Sequence, residues 1–142
     1  YTITETEDLE KEEYVEEVKK KISIENHVIY YPSNVYEIDK LYYPVLDSMI
    51  KSLNDYPNAK IQIFSHASAT STAKYNMKLS QKRMNKVVSY FSENGIELLR
   101  MNYKAYGESK LLNRCGDDQE CEEAMHQVNR RTELKIIQQN LD

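Results

Sequence analysis

The chain has 142 residues, 40% of them hydrophobic and 30% charged, with a formal net charge of −4 and a pI near 5.5. That length fits one domain able to bury its own core, and the acidic balance excludes the clustered Lys and Arg face that a nucleic-acid partner requires. No apolar run approaches the roughly 20 residues of a membrane helix; the chain opens at Tyr1 in acidic polar sequence, so a signal peptide or lipid anchor of a parent protein is expected to lie outside it.

In chain order, residues 1–25 come first as a charge-dense segment with Tyr14, Val18 and Ile22 at four-residue spacing. This suits a frayed one-sided helix or a linker arm; the linker is preferred, with the folded domain expected over 26–142. His27 to Tyr31 carries strand-forming side chains up to Pro32, which ends the strand. From Ile38 the apolar residues Leu41, Tyr42, Val45, Leu46, Met49, Ile50 and Leu53 form one helical stripe, stopped by the turn formers from Asn54 to Asn58. Lys60 to Phe64 alternates as a second strand. A hydroxyl-rich loop, Ser65 to Thr72, leads to a second helix through Tyr75, Leu79, Met84, Val87, Val88 and Phe91, with Gly95 as its left-handed cap. Met101 to Gly107 reads as a third strand, Gly107 to Gly116 as a loop, Gln119 to Val128 as a short helix and Arg131 to Ile137 as the last strand. The alternation predicts an α/β sandwich of βαβαβ type, a small mixed sheet with helices packed on one side.

Cys115 and Cys121 stand in the polar stretch NRCGDDQEC rather than in an apolar run. Pairing is the expectation, ahead of free thiols, and implies an oxidising compartment; a metal site would need a second ligand pair that is lacking. His27, His66 and His126 are scattered with no HExxH spacing, and Ser65, Ser68 and Ser71 form no GxSxG elbow. No catalytic residue, metal or cofactor is therefore expected, and His66 reads as a structural histidine at a strand end. Tyr30, Tyr42 and Tyr103 read as packing residues.

The segment IQIFSHASATSTAKYNMKLSQKRMNKVVSYF resembles the signature of the OmpA-like domain family, in which a strand ends in GHTD and a following helix carries YNxxLSxxR. Tyr75, Asn76, Leu79, Ser80 and Arg83 fall at the family spacing. IYYPSNVYEI, YGESKLLN and HQVNRRTELKI continue the likeness, so that it covers about Asn26 to Ile137. Four separated motifs in one order are far more specific than any one of them.

The resemblance implies a non-catalytic periplasmic module, tethered to the outer membrane through other parts of its parent, that grips diaminopimelate in the peptide stem of peptidoglycan. It implies Arg83 as a clamp for the ligand carboxylate, since a guanidinium takes a carboxylate through two charge-assisted bonds. Asn34, Asn76, Ala69, Thr70 and Arg130 are the further contacts it implies. The family aspartate that answers the ligand ammonium is here Ser68, which brings a hydroxyl and no charge; Ser65 and Ala67 replace the glycine and threonine of GHTD. That exchange motivates an alternative, a structural or assembly domain whose altered pocket faces another envelope protein. Porins, lipoproteins, motor stators and secretion-apparatus components all carry such domains, and a secretion-associated lipoprotein is the parent favoured, with envelope or secretion-complex proteins as partners of its other parts.

Overall fold

The computed structural model describes residues 22–138. Residues 1–21 of the acidic segment read as a linker or frayed helix lie outside the described residues, whereas its last four, 22–25, are strand and not linker. Four strands form one sheet in the order β1, β4, β2, β3, with β1–β4 and β4–β2 antiparallel and β2–β3 parallel. The sheet is mixed, as predicted.

β1 (Ile22–Tyr30) starts five residues before the predicted His27. Its first half is polar, but as an edge strand it is held by the ladder to β4. Glu25 there accepts from Ser52 Oγ at 2.6 Å and Ser48 Oγ at 3.0 Å on the following helix. A charged residue thus serves as a strand-to-helix tie, which apolar periodicity does not reveal. The predicted helix start at Ile38 is also displaced: Lys40–Tyr42 is a 3-10 turn capped by the Asp39 carboxylate, and α1 is Tyr43–Asp55. Pro44, which lacks an N–H, is tolerated in the first turn of a helix and so sets its start. Leu41 falls outside the stripe and is 82% exposed.

β2 (Lys60–Ser65) alternates as expected, with Ile61, Ile63 and Ser65 inward. α2 (Ala73–Glu93) begins at Thr72, whose hydroxyl accepts from Tyr75 N. It ends with Gly95 N on Ser92 O and Ile96 N on Phe91 O, a Schellman closure that needs the positive φ of 90° at Gly95. β3 (Met101–Ala105) runs beside β2, shorter than the predicted strand to Gly107. Arg100, just before it, donates to the carbonyls of Leu53, Tyr56 and Ala59 and locks the α1–β2 turn. β4 (Arg131–Gln138) then inserts between β1 and β2. α1 and α2 bury Leu46, Met49, Leu53, Val87 and Phe91 against Ile29, Ile61, Ile63, Leu134 and Ile136, all fully buried or nearly so.

Cys115 and Cys121 are bonded, with Cα atoms 5.9 Å apart. The ring they close keeps the chain out of the predicted helix from Gln119; Gln119 N instead closes a turn on Gly116 O, and only Glu123–Gln127 is helical, as α3. The chain-entropy cost of so short a loop is about 2 kcal/mol. Reduction is expected to lower stability by about that amount, with faster amide exchange confined to 107–122 and the sheet protected; exchange before and after reduction, read by NMR, checks this.

Candidate functional site

The buried face of α2 changes character along its length. Its C-terminal half offers Val87 and Phe91 to the core, whereas its N-terminal half buries Asn76, Ser80 and Arg83 beside Leu79. Those polar groups lie where β1 and β2 end.

Arg83 has no exposed surface. Its Nε donates to Val35 O at 2.8 Å, Nη1 to His66 O at 3.0 Å and Nη2 to Pro32 O at 3.2 Å, while its Cζ sits 4.6 Å from the centre of the Tyr31 ring. One side chain thus joins the segment after β1 to the residue after β2. Burial pulls its pKa down to about 10, which leaves it protonated at neutral pH. Its hydrogen-bond partners among the described residues are all carbonyls, and two of its five N–H donors remain for another acceptor. Arg130 lies beside it: Nε donates to Tyr31 O at 2.9 Å, Nη2 pairs with Glu123, and the buried Nη1 has no partner among the described residues. The two guanidiniums hold consecutive carbonyls of one loop.

Two loops make the rim. Asn34, exposed and at φ 62°, accepts from the Tyr75 hydroxyl at 3.1 Å, linking the first loop to the start of α2. In the second loop Ser68 is 3% exposed and shares a 3.1 Å hydrogen bond with Thr70; Ala69 is half-buried and Thr70 exposed. Asn76 is buried, and its amide nitrogen donates to Ser71 O and to Glu108 Oε1. The structure therefore gathers all seven predicted residues at one end of the sheet with unequal access: Asn34 and Thr70 face outward, Ala69 is intermediate, and Arg83, Arg130, Asn76 and Ser68 stand behind them.

Several participants carried no role in the sequence reading. Tyr31 OH, Thr132 Oγ1 and Ser65 Oγ form a buried hydroxyl chain with links of 2.8 and 2.7 Å under the site. Gly107 accepts from Ala67 N and donates to Ser80 Oγ, both at 2.8 Å; at φ 57°, with a Cβ there 3.2 Å from the Met77 backbone, the position requires glycine. Ser80 and Gly107 lie inside the motifs YNxxLSxxR and YGES, the one signal by which they were findable.

His66 is buried and stacks on Tyr106 at 5.1 Å with the rings 8° apart. Its nitrogens find no hydrogen-bond partner among the described residues, and Nε2 is 3.7 Å from Glu133, too far for one. Burial, then the Arg131 charge, pushes its pKa down to about 4. The fold therefore holds the neutral ring: its contribution is complete above the ordinary histidine value and is lost as pH falls toward about 4. Wild type is expected to lose stability relative to His66→Phe over that window, read by urea unfolding at several pH values.

The α/β module buries Arg83, Arg130 and Arg131 at the strand ends, and no group of residues that could hold a metal ion is present among the described residues. A model of the OmpA family matches residues 30–124, more than half of the chain, and the chain belongs to that family. It is 32% identical over 99 residues to the peptidoglycan-associated lipoprotein of Buchnera aphidicola subsp. Baizongia pistaciae, covering 70% of this chain and 54% of the relative. The peptidoglycan-associated lipoprotein of Haemophilus influenzae is 30% identical over 108 residues, 76% of this chain and 67% of its own. The crystal structure of the peptidoglycan-associated lipoprotein from Burkholderia pseudomallei superposes with a TM-score of 0.69 at 25% identity, over 77% of this chain and 88% of that one. The chain thus spans about half of the Buchnera relative and two thirds or more of the other two.

Proposed function

We propose that this chain is a non-catalytic peptidoglycan-binding module that anchors an envelope assembly to the cell wall, and that the group it grips is diaminopimelate in the stem peptide. The observation that carries the reading is the Arg83–Arg130 pair: two buried guanidiniums side by side, where among the described residues Arg83 has carbonyl partners alone and Arg130 keeps an unpaired Nη1 beside its Glu123 pair. A ligand carboxylate suits the donors left over, and charge-assisted bonds to it are about twice as strong as neutral ones. The polymer is supported by family membership and by relatives named for their association with peptidoglycan. A periplasmic setting follows, consistent with the disulfide, with tethering to the outer membrane left to other parts of the parent. The same relatives favour a lipoprotein parent of their own kind over a secretion component.

Since Arg83 has no exposed surface, the ligand reaches it only when the Asn34–Tyr75 link or the Ser68–Thr70 loop gives way. Asn34, Ala69 and Thr70 are then the first contacts. Ser68, uncharged and buried, favours the second reading, an assembly domain whose rim meets another envelope protein. Co-sedimentation with purified diaminopimelate-type peptidoglycan separates the two. Retention that a free diaminopimelate stem peptide competes away, and that lysine-type peptidoglycan does not reproduce, is the expected result; no retention on either polymer leaves the assembly reading.

A further inference from the structure

Glu108 is the first residue after Gly107 on the loop that leaves β3. Its Oε1 accepts from Asn76 Nδ2 at 3.1 Å, and the same nitrogen donates to Ser71 O at 3.2 Å. Both N–H groups of the Asn76 amide are therefore spent on joining two loops. The Asp117 carboxyl, inside the ring closed by Cys115 and Cys121, is the acidic neighbour that acts on Glu108 from its other side.

We propose that Glu108 is a positioning residue of the binding loop, its carboxyl holding the Asn76 amide and through it the Ser68–Ser71 turn. The inference rests on the binding reading above and names what shapes that site. Nothing in the contact needs a negative charge on Glu108: a carbonyl oxygen serves Asn76. A glutamine supplies that oxygen at every pH.

Burial, and next the neighbouring Asp117 carboxyl, hold Glu108 above the usual carboxylate range, while the Asn76 donor acts the other way. Asp117 is the charged neighbour acting on it. A raised folded-state pKa means that the bracket's contribution is complete at acid pH and is lost as pH rises through that value, when two ionised carboxylates repel. Ligand affinity should follow the same course.

The test is calorimetric titration of the whole chain with a soluble diaminopimelate stem tetrapeptide from about pH 5 to about pH 8. Wild type, Glu108→Gln and Glu108→Ala are compared, each checked for folding by circular dichroism. Wild-type affinity is expected to fall with rising pH. Glu108→Gln should match the acid-limit affinity throughout, and Glu108→Ala should bind about tenfold more weakly at every pH, the loss of one hydrogen bond to a charged or carboxyl group. Glu108→Ala binding like wild type, or Glu108→Gln keeping the wild-type pH slope, overturns the proposal. A wild type that binds no peptide overturns the peptidoglycan reading instead. The positioning role is then decided in the free protein: the Asn76 side-chain amide resonances should titrate with Glu108 in wild type and stay fixed in Glu108→Gln, and their failure to titrate would overturn it.

Discussion

Arg83→Ala is expected to destabilise the fold by about 3–5 kcal/mol, besides abolishing ligand binding. The substitution strips the donors from Val35 O, His66 O and Pro32 O, and a buried acceptor left without a partner costs about 1–3 kcal/mol. It also removes the group packed on the Tyr31 ring and leaves a cavity under the strand ends. Domains of this size have about 5–15 kcal/mol in total, so the variant should remain folded only marginally, with its thermal midpoint lower by about 10 °C or more. Arg83→Lys should fall between, because one ammonium on a flexible stem does not reach three divergent carbonyls as a planar guanidinium does. Urea unfolding gives the number; a loss below about 1 kcal/mol would mean that water replaces the guanidinium at all three carbonyls. Loss of binding in Arg83→Ala is therefore informative only beside that measurement.

Ser68→Asp is expected to tighten binding of a diaminopimelate peptide about tenfold or more. A hydrogen bond to a charged group is worth about 1.5–3 kcal/mol, and 1.4 kcal/mol is one decade of affinity. With Ser68 only 3% exposed, a carboxylate there loses hydration in the free protein, so the variant should be less stable than wild type without ligand and regain stability with it. The control is a stem peptide whose side-chain amine is absent. Gain for the amine-bearing peptide alone is expected. Equal gain for both would show that the new carboxylate does not meet the ammonium.

What the sequence revealed and what it hid divide along one line. Side chains whose role is apolar packing on one face announce themselves by period, and so β2, α2 and β4 were legible to within a residue or two. Elements held by backbone pairing or by polar ties were not. The first half of β1 is a strand through its ladder to β4 and the Glu25 ties, and Leu41 fits the helical period while lying in a 3-10 turn before Pro44. The disulfide was legible from its polar setting, but not its effect in shortening α3.

The site shows the same division. Motif spacing pointed to Arg83, Asn76 and Arg130, whereas most of the groups they bind are carbonyls, of Tyr31, Pro32, Val35, His66 and Ser71, which have no side-chain signature. Asn76 and Glu108 are 32 residues apart and belong to different motifs, so only the folded chain shows that one holds the other. Exposure was equally hidden. Arg83 is buried while Asn34 and Thr70 are exposed, and motif spacing carries no sign of that difference.

The most direct test of the account is an NMR titration of the isotope-labelled chain with a diaminopimelate stem peptide, following backbone amides and the arginine Nε signals. Saturable shifts are predicted at Asn34, Ala69, Thr70, Tyr75 and the Arg83 Nε, with Val28, Gln62 and Lys135 on the opposite face of the sheet unmoved. Shifts confined to that opposite face, or none at peptide concentrations that saturate a related domain, would contradict it.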